Sequence, residues 1–159
     1  MARRAREEGR RRSRAGRRQE HLVEPIHLEV LRNLMNPVSD VQRVLVVEDD
    51  RDTAESLRTW LGLCGYHVVV AHTSQQGIEE ARKLEPHIVL CDIGLPDSDG
   101  YVVGSVLRQG GCNAGARLIA VTGHGEPRHR QRALAAGFDQ HLVKPVDPKV
   151  LLLELQTRH

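Results

Sequence analysis

From Arg43 onward, five short runs rich in β-branched residues alternate with stretches of helical periodicity, and this alternation limits the fold more than any other feature. The runs are Val44–Val47, Val68–Ala71, Ile88–Cys91, Leu118–Thr122 and His141–Val143. Between and after them the pattern predicts helices over about Asp52–Cys64, Ser74–Leu84, Gly100–Gln109, Pro127–Ala136 and Asp147–Gln156. The first helix shows its stripe clearly, with Ala54, Leu57, Leu61 and Cys64 at three- and four-residue spacing. Asp147-Pro148 reads as an N-cap followed by proline at the first helical position, and Gly137 is placed to end the fourth helix. The strand runs are almost continuously apolar, as in parallel strands covered on both faces. Five such β-α pairs predict a doubly wound α/β sheet, with its ligand site at the carboxyl ends of the strands.

A chain of 159 residues holds one ordinary domain and a tail. With Trp60, Tyr66, Tyr101 and Phe138 as its only aromatics, the core must be aliphatic. The net charge of +2 conceals an asymmetry. Residues 1–20 carry nine Arg against three Glu, whereas the remainder is acidic overall. Without apolar periodicity, residues 1–20 are expected to be a disordered tail. Residues 21–41 are expected to be a linker with a short helix near Ile26–Met35, closed by Asn36-Pro37. Cys64, Cys91 and Cys112 are odd in number and form no CxxC pair, which argues against a disulfide framework or structural zinc and fits a reducing cytoplasm. No apolar run reaches the ~18 residues of a membrane span, and no membrane association is expected.

Several predicted strands end on groups that carry chemistry. The first runs into Glu48-Asp49-Asp50, the third into Asp92, the fourth ends on Thr122, and the fifth runs into Lys144-Pro145. In a doubly wound sheet the first and third strands adjoin at the switch point, so their acids share one crevice. Clustered carboxylates repel each other unless a cation intervenes. A hard divalent ion such as Mg²⁺ suits such ligands and bridges to phosphate oxygens. A hydroxyl and an ammonium opposite the acids are what a phosphoryl group's remaining oxygens require. Any one of these residues alone reads as a turn or cap; four at four strand ends point to phosphoryl transfer.

The motifs VLVVEDD, LCDIGLPDSDG, LIAVTGHG and FDQHLVKPVD resemble, in order and spacing, the receiver domain of two-component response regulators. The resemblance covers about Gln42 to Thr157 and implies that residues 42–159 form the receiver domain. It implies a flavodoxin-like (βα)5 fold with strand order 2-1-3-4-5. It further implies that Asp92 is the phosphoacceptor. Asp49 and Asp92 would ligate Mg²⁺ (or Mn²⁺) directly, Glu48 largely through water, and Gly94 through its carbonyl. Thr122 and Lys144 would bind the phosphoryl group, with a cis Lys144–Pro145 bond. Where many relatives place a Tyr or Phe switch residue, this chain has His141, read either as a polar switch or as a surface residue. Gly94 and His124 are the positions expected to tune dephosphorylation.

The implied activity is that of a phosphoacceptor signalling domain, not an enzyme in the usual sense, which promotes its own phosphorylation and slow dephosphorylation. The implied partners are a histidine kinase or histidine phosphotransfer protein upstream and an unidentified protein downstream. No output module is visible after the fifth helix, so output is expected through protein contacts. Two other readings stand behind this one. A haloacid-dehalogenase-like phosphatase would need a second acid where Gly94 stands. A nucleic-acid-associated protein would act through its Arg-rich tail, but the tail has no aromatics to stack on bases, and nucleic acid is not an expected partner. The Arg128, His129, Arg130 and Arg132 group reads as a solvated face or as an attraction for an acidic partner.

Overall fold

The computed structural model describes residues 41–110 and 114–157. The expected tail, the linker helix and Cys112 lie outside the described residues. The ordered chain runs β1 (Arg43–Val47), α1 (Arg51–Leu63), β2 (His67–Ala71), α2 (Ser74–Leu84), β3 (Ile88–Asp92), α3 (Tyr101–Gln109), β4 (Arg117–Thr122), α4 (Pro127–Ala135), β5 (Gln140–Val143) and α5 (Pro148–Gln156). All five strands are parallel, in the order β2-β1-β3-β4-β5. This is the flavodoxin-like arrangement expected, and the boundaries depart from the expected ones by a residue or so.

The apolar runs need two faces of cover, and they receive them. Along β1, Leu45 and Val47 enter one core while Val44 and Val46 enter the other, the period of two that a pleated strand imposes. The first core joins the sheet to α2, α3 and α4 through Ala81, Val103, Leu107 and Ala133. The second joins it to α1 and α5 through Leu61, Leu151 and Leu155, with Trp60 packed alongside. Val44, Leu45, Leu61, Val89, Leu118 and Ile119 are wholly buried. Each such side chain contributes roughly 1.5–3 kcal/mol of transfer free energy.

Helix starts are set by side chains that accept otherwise orphaned N–H groups. Asp50 Oδ1 accepts from Thr53 N–H (2.8 Å) and Asp147 Oδ1 from Lys149 N–H (2.7 Å). The helices expected from Asp52 and Asp147 therefore begin at Arg51 and Pro148, each one residue after its cap. At the other end of α4, Gly137 sits at φ +91°, the left-handed conformation open to glycine. Gly104 lies so close to Phe138 that a Cβ there would stand 2.5 Å from the ring, so this glycine lets α3 approach the start of β5.

Candidate functional site

Strand pairing determines which residues meet at the carboxyl edge. Val47 of β1 pairs with Cys91 of β3, so the next residues, Glu48 and Asp92, emerge side by side. Thr122 pairs with Val143 at the ends of β4 and β5, and Lys144 N–H donates to Thr122 O (2.8 Å). Glu48, Asp49 and Asp92 each offer a carboxylate oxygen within 4.8 Å of the others. Lys144 Nζ donates to Asp92 Oδ2 (2.6 Å) and to Glu48 Oε2 (2.9 Å). The Lys144–Pro145 peptide is cis.

Glu48 is 4% exposed and Thr122 2% exposed, so both belong to the site's floor. Burial pushes the Glu48 carboxyl above its ordinary value, an effect that the Lys144 ammonium only partly offsets. Burial alone would lower the Lys144 ammonium, but its bonds to Asp92 and Glu48 prevail and hold it above the usual range. One ammonium against three carboxylates leaves the cluster short of positive charge. The donors are all hard oxygens, so the residues present fit a divalent cation of the Mg²⁺ kind.

Gly94 N–H donates to Asp92 Oδ1 (2.8 Å) and so orients that carboxylate. Thr122 Oγ1 accepts from His124 N–H (3.1 Å), which leaves the hydroxyl proton free to be donated elsewhere. A depression of about 450 Å³ opens above Asp92, lined by Gly94, Thr122, His124 and Lys144 among others. On the far side of Asp92 and Lys144, an apolar cleft of about 530 Å³ runs between α1 and α5 past Leu57, Trp60 and Leu151. His141 stands apart from the acids on β5. Its Nε2 is enclosed without a hydrogen-bond partner among the described residues. Burial, aided by the charges of His129 and Arg130, lowers its pKa.

Some supports had no strand-end signal. Asp97, in the loop after β3, accepts from Ser74 N–H (2.9 Å) and Gln75 N–H (3.1 Å) and thereby caps α2 across the site. Arg132 pairs with Asp99 (2.7 Å) and lies 4.4 Å over the Tyr101 ring, so this member of the arginine group is committed within the chain. His72 Nδ1 bonds Glu48 O (2.9 Å), and His87 Nδ1 accepts from Arg43 N–H (2.9 Å); neither histidine was assigned a role from sequence. Cys91 is fully buried beside the acidic cluster, and burial raises its thiol pKa, which keeps it an inert core residue.

The response regulator receiver domain model matches residues 44–156, the span that carries this whole arrangement. The chain belongs to the response regulator receiver family. Among relatives, an uncharacterised 14.6 kDa protein of Leptolyngbya boryana is 33% identical over 113 residues, covering 71% of this chain and 86% of that protein. A CheY-like receiver structure from Methanospirillum hungatei superimposes with a TM-score of 0.69 at 30% identity, covering 74% of this chain and 92% of that one. A response regulator structure from Burkholderia pseudomallei, described with a phosphorylated aspartic acid, a calcium ion and citrate, has a TM-score of 0.68 at 26% identity. It covers 73% of this chain and 67% of that one. The chain spans 42–51% of the length of relatives described as transcriptional regulators or DNA-binding response regulators. As a receiver, it serves two-component phosphorelay signalling. Among the described residues, no helix is long and apolar enough to cross a membrane.

Proposed function

We propose that residues 42–159 form the receiver unit and that Asp92 is its phosphoacceptor, fed by a histidine kinase or a histidine phosphotransfer protein. The observation that carries this is the placement of Lys144 Nζ 2.6 Å from Asp92 Oδ2, with Glu48 and Asp49 carboxylates grouped around the same point. Asp49 and Asp92 would hold Mg²⁺ (or Mn²⁺) directly, Glu48 through water and Gly94 through its carbonyl. When bound, the ion supplies positive charge opposite the phosphoryl oxygens.

An Asp92 carboxylate oxygen attacks the phosphorus in line. The P–N bond to the donor imidazole breaks, and the leaving imidazole takes up a proton. Lys144 exchanges its contact with Asp92 Oδ2 for one with the new phosphoryl oxygen. Thr122 contributes its free hydroxyl proton to another oxygen, which draws the β4–α4 loop inward through the His124 N–H that it holds. His141, whose enclosed Nε2 has no partner among the described residues, is the group on β5 that such a movement would rearrange.

A response regulator of similar fold described with a phosphorylated aspartic acid supports aspartate phosphorylation as the chemistry. The test is incubation with acetyl phosphate or phosphoramidate and Mg²⁺, followed by intact mass. One phosphoryl group should be gained by the wild type and none by Asp92→Ala. Uptake undiminished in Asp92→Ala would overturn the assignment. Gly94 and His124 flank the depression above Asp92, and we assign to them control of water access to the aspartyl phosphate. Replacing His124 with Ala should therefore change the decay rate of labelled protein; an unchanged half-life refutes that role.

A further inference from the structure

A second group of metal-ligating side chains lies on the loop between β4 and α4, outside the acidic pocket. His124, Glu126 and His129 each present a ligand atom, and these atoms lie within 4.8 Å of one another. The spacing follows from the local fold. Glu126 is the residue before Pro127 at the start of α4, and His129 stands within the first helical turn. His124 precedes them on the loop and stacks on His129, with ring centroids 5.0 Å apart and planes at 20°.

The orientation of His129 is fixed from its other side. Tyr101 Oη lies 3.3 Å from His129 Nδ1, while His129 Nε2 lies 3.0 Å from Glu126 Oε2. Nε2 is thus the ring atom turned toward the cluster. Nδ1 has the hydrogen-bond partner that a metal-bound histidine characteristically keeps. Two imidazoles and one carboxylate differ in kind from the all-oxygen pocket at Asp92. Imidazole suits borderline ions such as Zn²⁺, whereas Mg²⁺ strongly favours oxygen.

We propose that His124, Glu126 and His129 form a binding site for a divalent transition metal of the Zn²⁺ class, with at least one coordination position left open to solvent. On binding, the Nε2 proton of His129 is displaced. A proton retained by the ring stays on Nδ1, which then donates a hydrogen bond to Tyr101 Oη. The start of α4 and the nearby Arg128, whose Nε stands 4.0 Å from Glu126 Oε2, both oppose a cation here. The Glu126 carboxylate offsets this, and the affinity should fall as acid protonates the two histidines. A bound ion ties His124, whose N–H holds Thr122, to the first turn of α4. The consequence for signalling rests on the phosphoacceptor reading; the binding itself does not.

The test is titration of the full chain with Co²⁺ and with Zn²⁺ in excess Mg²⁺, added to compete for the acidic pocket. Cobalt binding is read from its visible d–d bands and zinc binding by calorimetry. One ion per chain is expected, without the near-ultraviolet charge-transfer band of a thiolate ligand. His129→Ala should weaken binding roughly tenfold or more. Because His129 also bonds Tyr101, Glu126→Gln repeats the test at an exposed side chain that makes no capping bond. It too should weaken binding, whereas His67→Ala, at an exposed residue of β2, should not. Undiminished binding in either His129→Ala or Glu126→Gln, or no binding above the Mg²⁺ background, overturns the proposal. These outcomes leave phosphoryl uptake by Asp92 untouched, so the two readings fail separately.

Discussion

Glu48 illustrates how a residue can favour function at the expense of stability. Its carboxylate is buried at the floor of the site, and burial raises its pKa despite the bond from Lys144. A raised carboxyl pKa means that the folded state holds the proton longer than the unfolded chain does. Its favourable contribution is therefore present below the ordinary value near 4.5 and is lost as pH climbs through the folded value. Glu48→Gln, which mimics the protonated form and can still accept from Lys144, should stabilise the metal-free protein at neutral pH. A gain of ~1 kcal/mol would appear as a rise in Tm of about 4 °C for a domain of this size. Thermal unfolding in chelator across pH checks this. The advantage should be full at pH 7 and vanish toward pH 4, and the same variant should bind Mg²⁺ less well. Glu48, Asp49, Asp92 and Lys144 were legible from sequence because each lies within two residues of the end of a strand run. Asp97 and Tyr101 were not, because their partners lie 23 and 28 residues away in the chain.

At the level of elements, the site is held by helix starts as much as by strands. The first turn of α2 leaves three N–H groups to be met. Thr73 Oγ1 accepts from Gln76, while Asp97, from a different loop, accepts from Ser74 and Gln75. Asp97 therefore ties the loop after β3, the one that follows Asp92, to the helix that leads into β3. Asp97→Ala removes the second set and should destabilise the protein by about 1 kcal/mol, the usual loss for a capping side chain. Chemical denaturation midpoints check this, with an unchanged m-value expected because the surface exposed on unfolding is the same. Gly100 serves the same loop by absence of a side chain: a Cβ there would collide with the Asp92 carbonyl. The alternation of strand and helix predicted these elements to within about a residue, since both periodicities arise from local geometry. The caps moved the boundaries, since they depend on which side chain reaches an N–H.

Over the whole molecule, the sheet order converts separate strand ends into one site, and ligand binding should feed back on stability. A cation that binds only the folded state stabilises it by mass action, about 2.7 kcal/mol at a hundredfold excess over Kd. Mg²⁺ should therefore raise the Tm of the wild type in a concentration-dependent way, and Asp49→Asn should lose most of that rise. Differential scanning calorimetry with Mg²⁺ and with chelator measures it; equal rises in both proteins would place the ion elsewhere. Sequence by itself determined the α/β class, the five β-α pairs, the aliphatic core and the acids at the strand ends, because each is encoded in neighbouring residues. Resemblance to relatives supplied the order β2-β1-β3-β4-β5, which local periodicity does not contain. The tertiary structure alone decided that Lys144 bridges Asp92 and Glu48, that His141 encloses a nitrogen with no partner among the described residues, and that His124, Glu126 and His129 converge. These are distances between side chains on different elements or turns. They are set by how strands pair and helices pack, and no pattern along the chain records them.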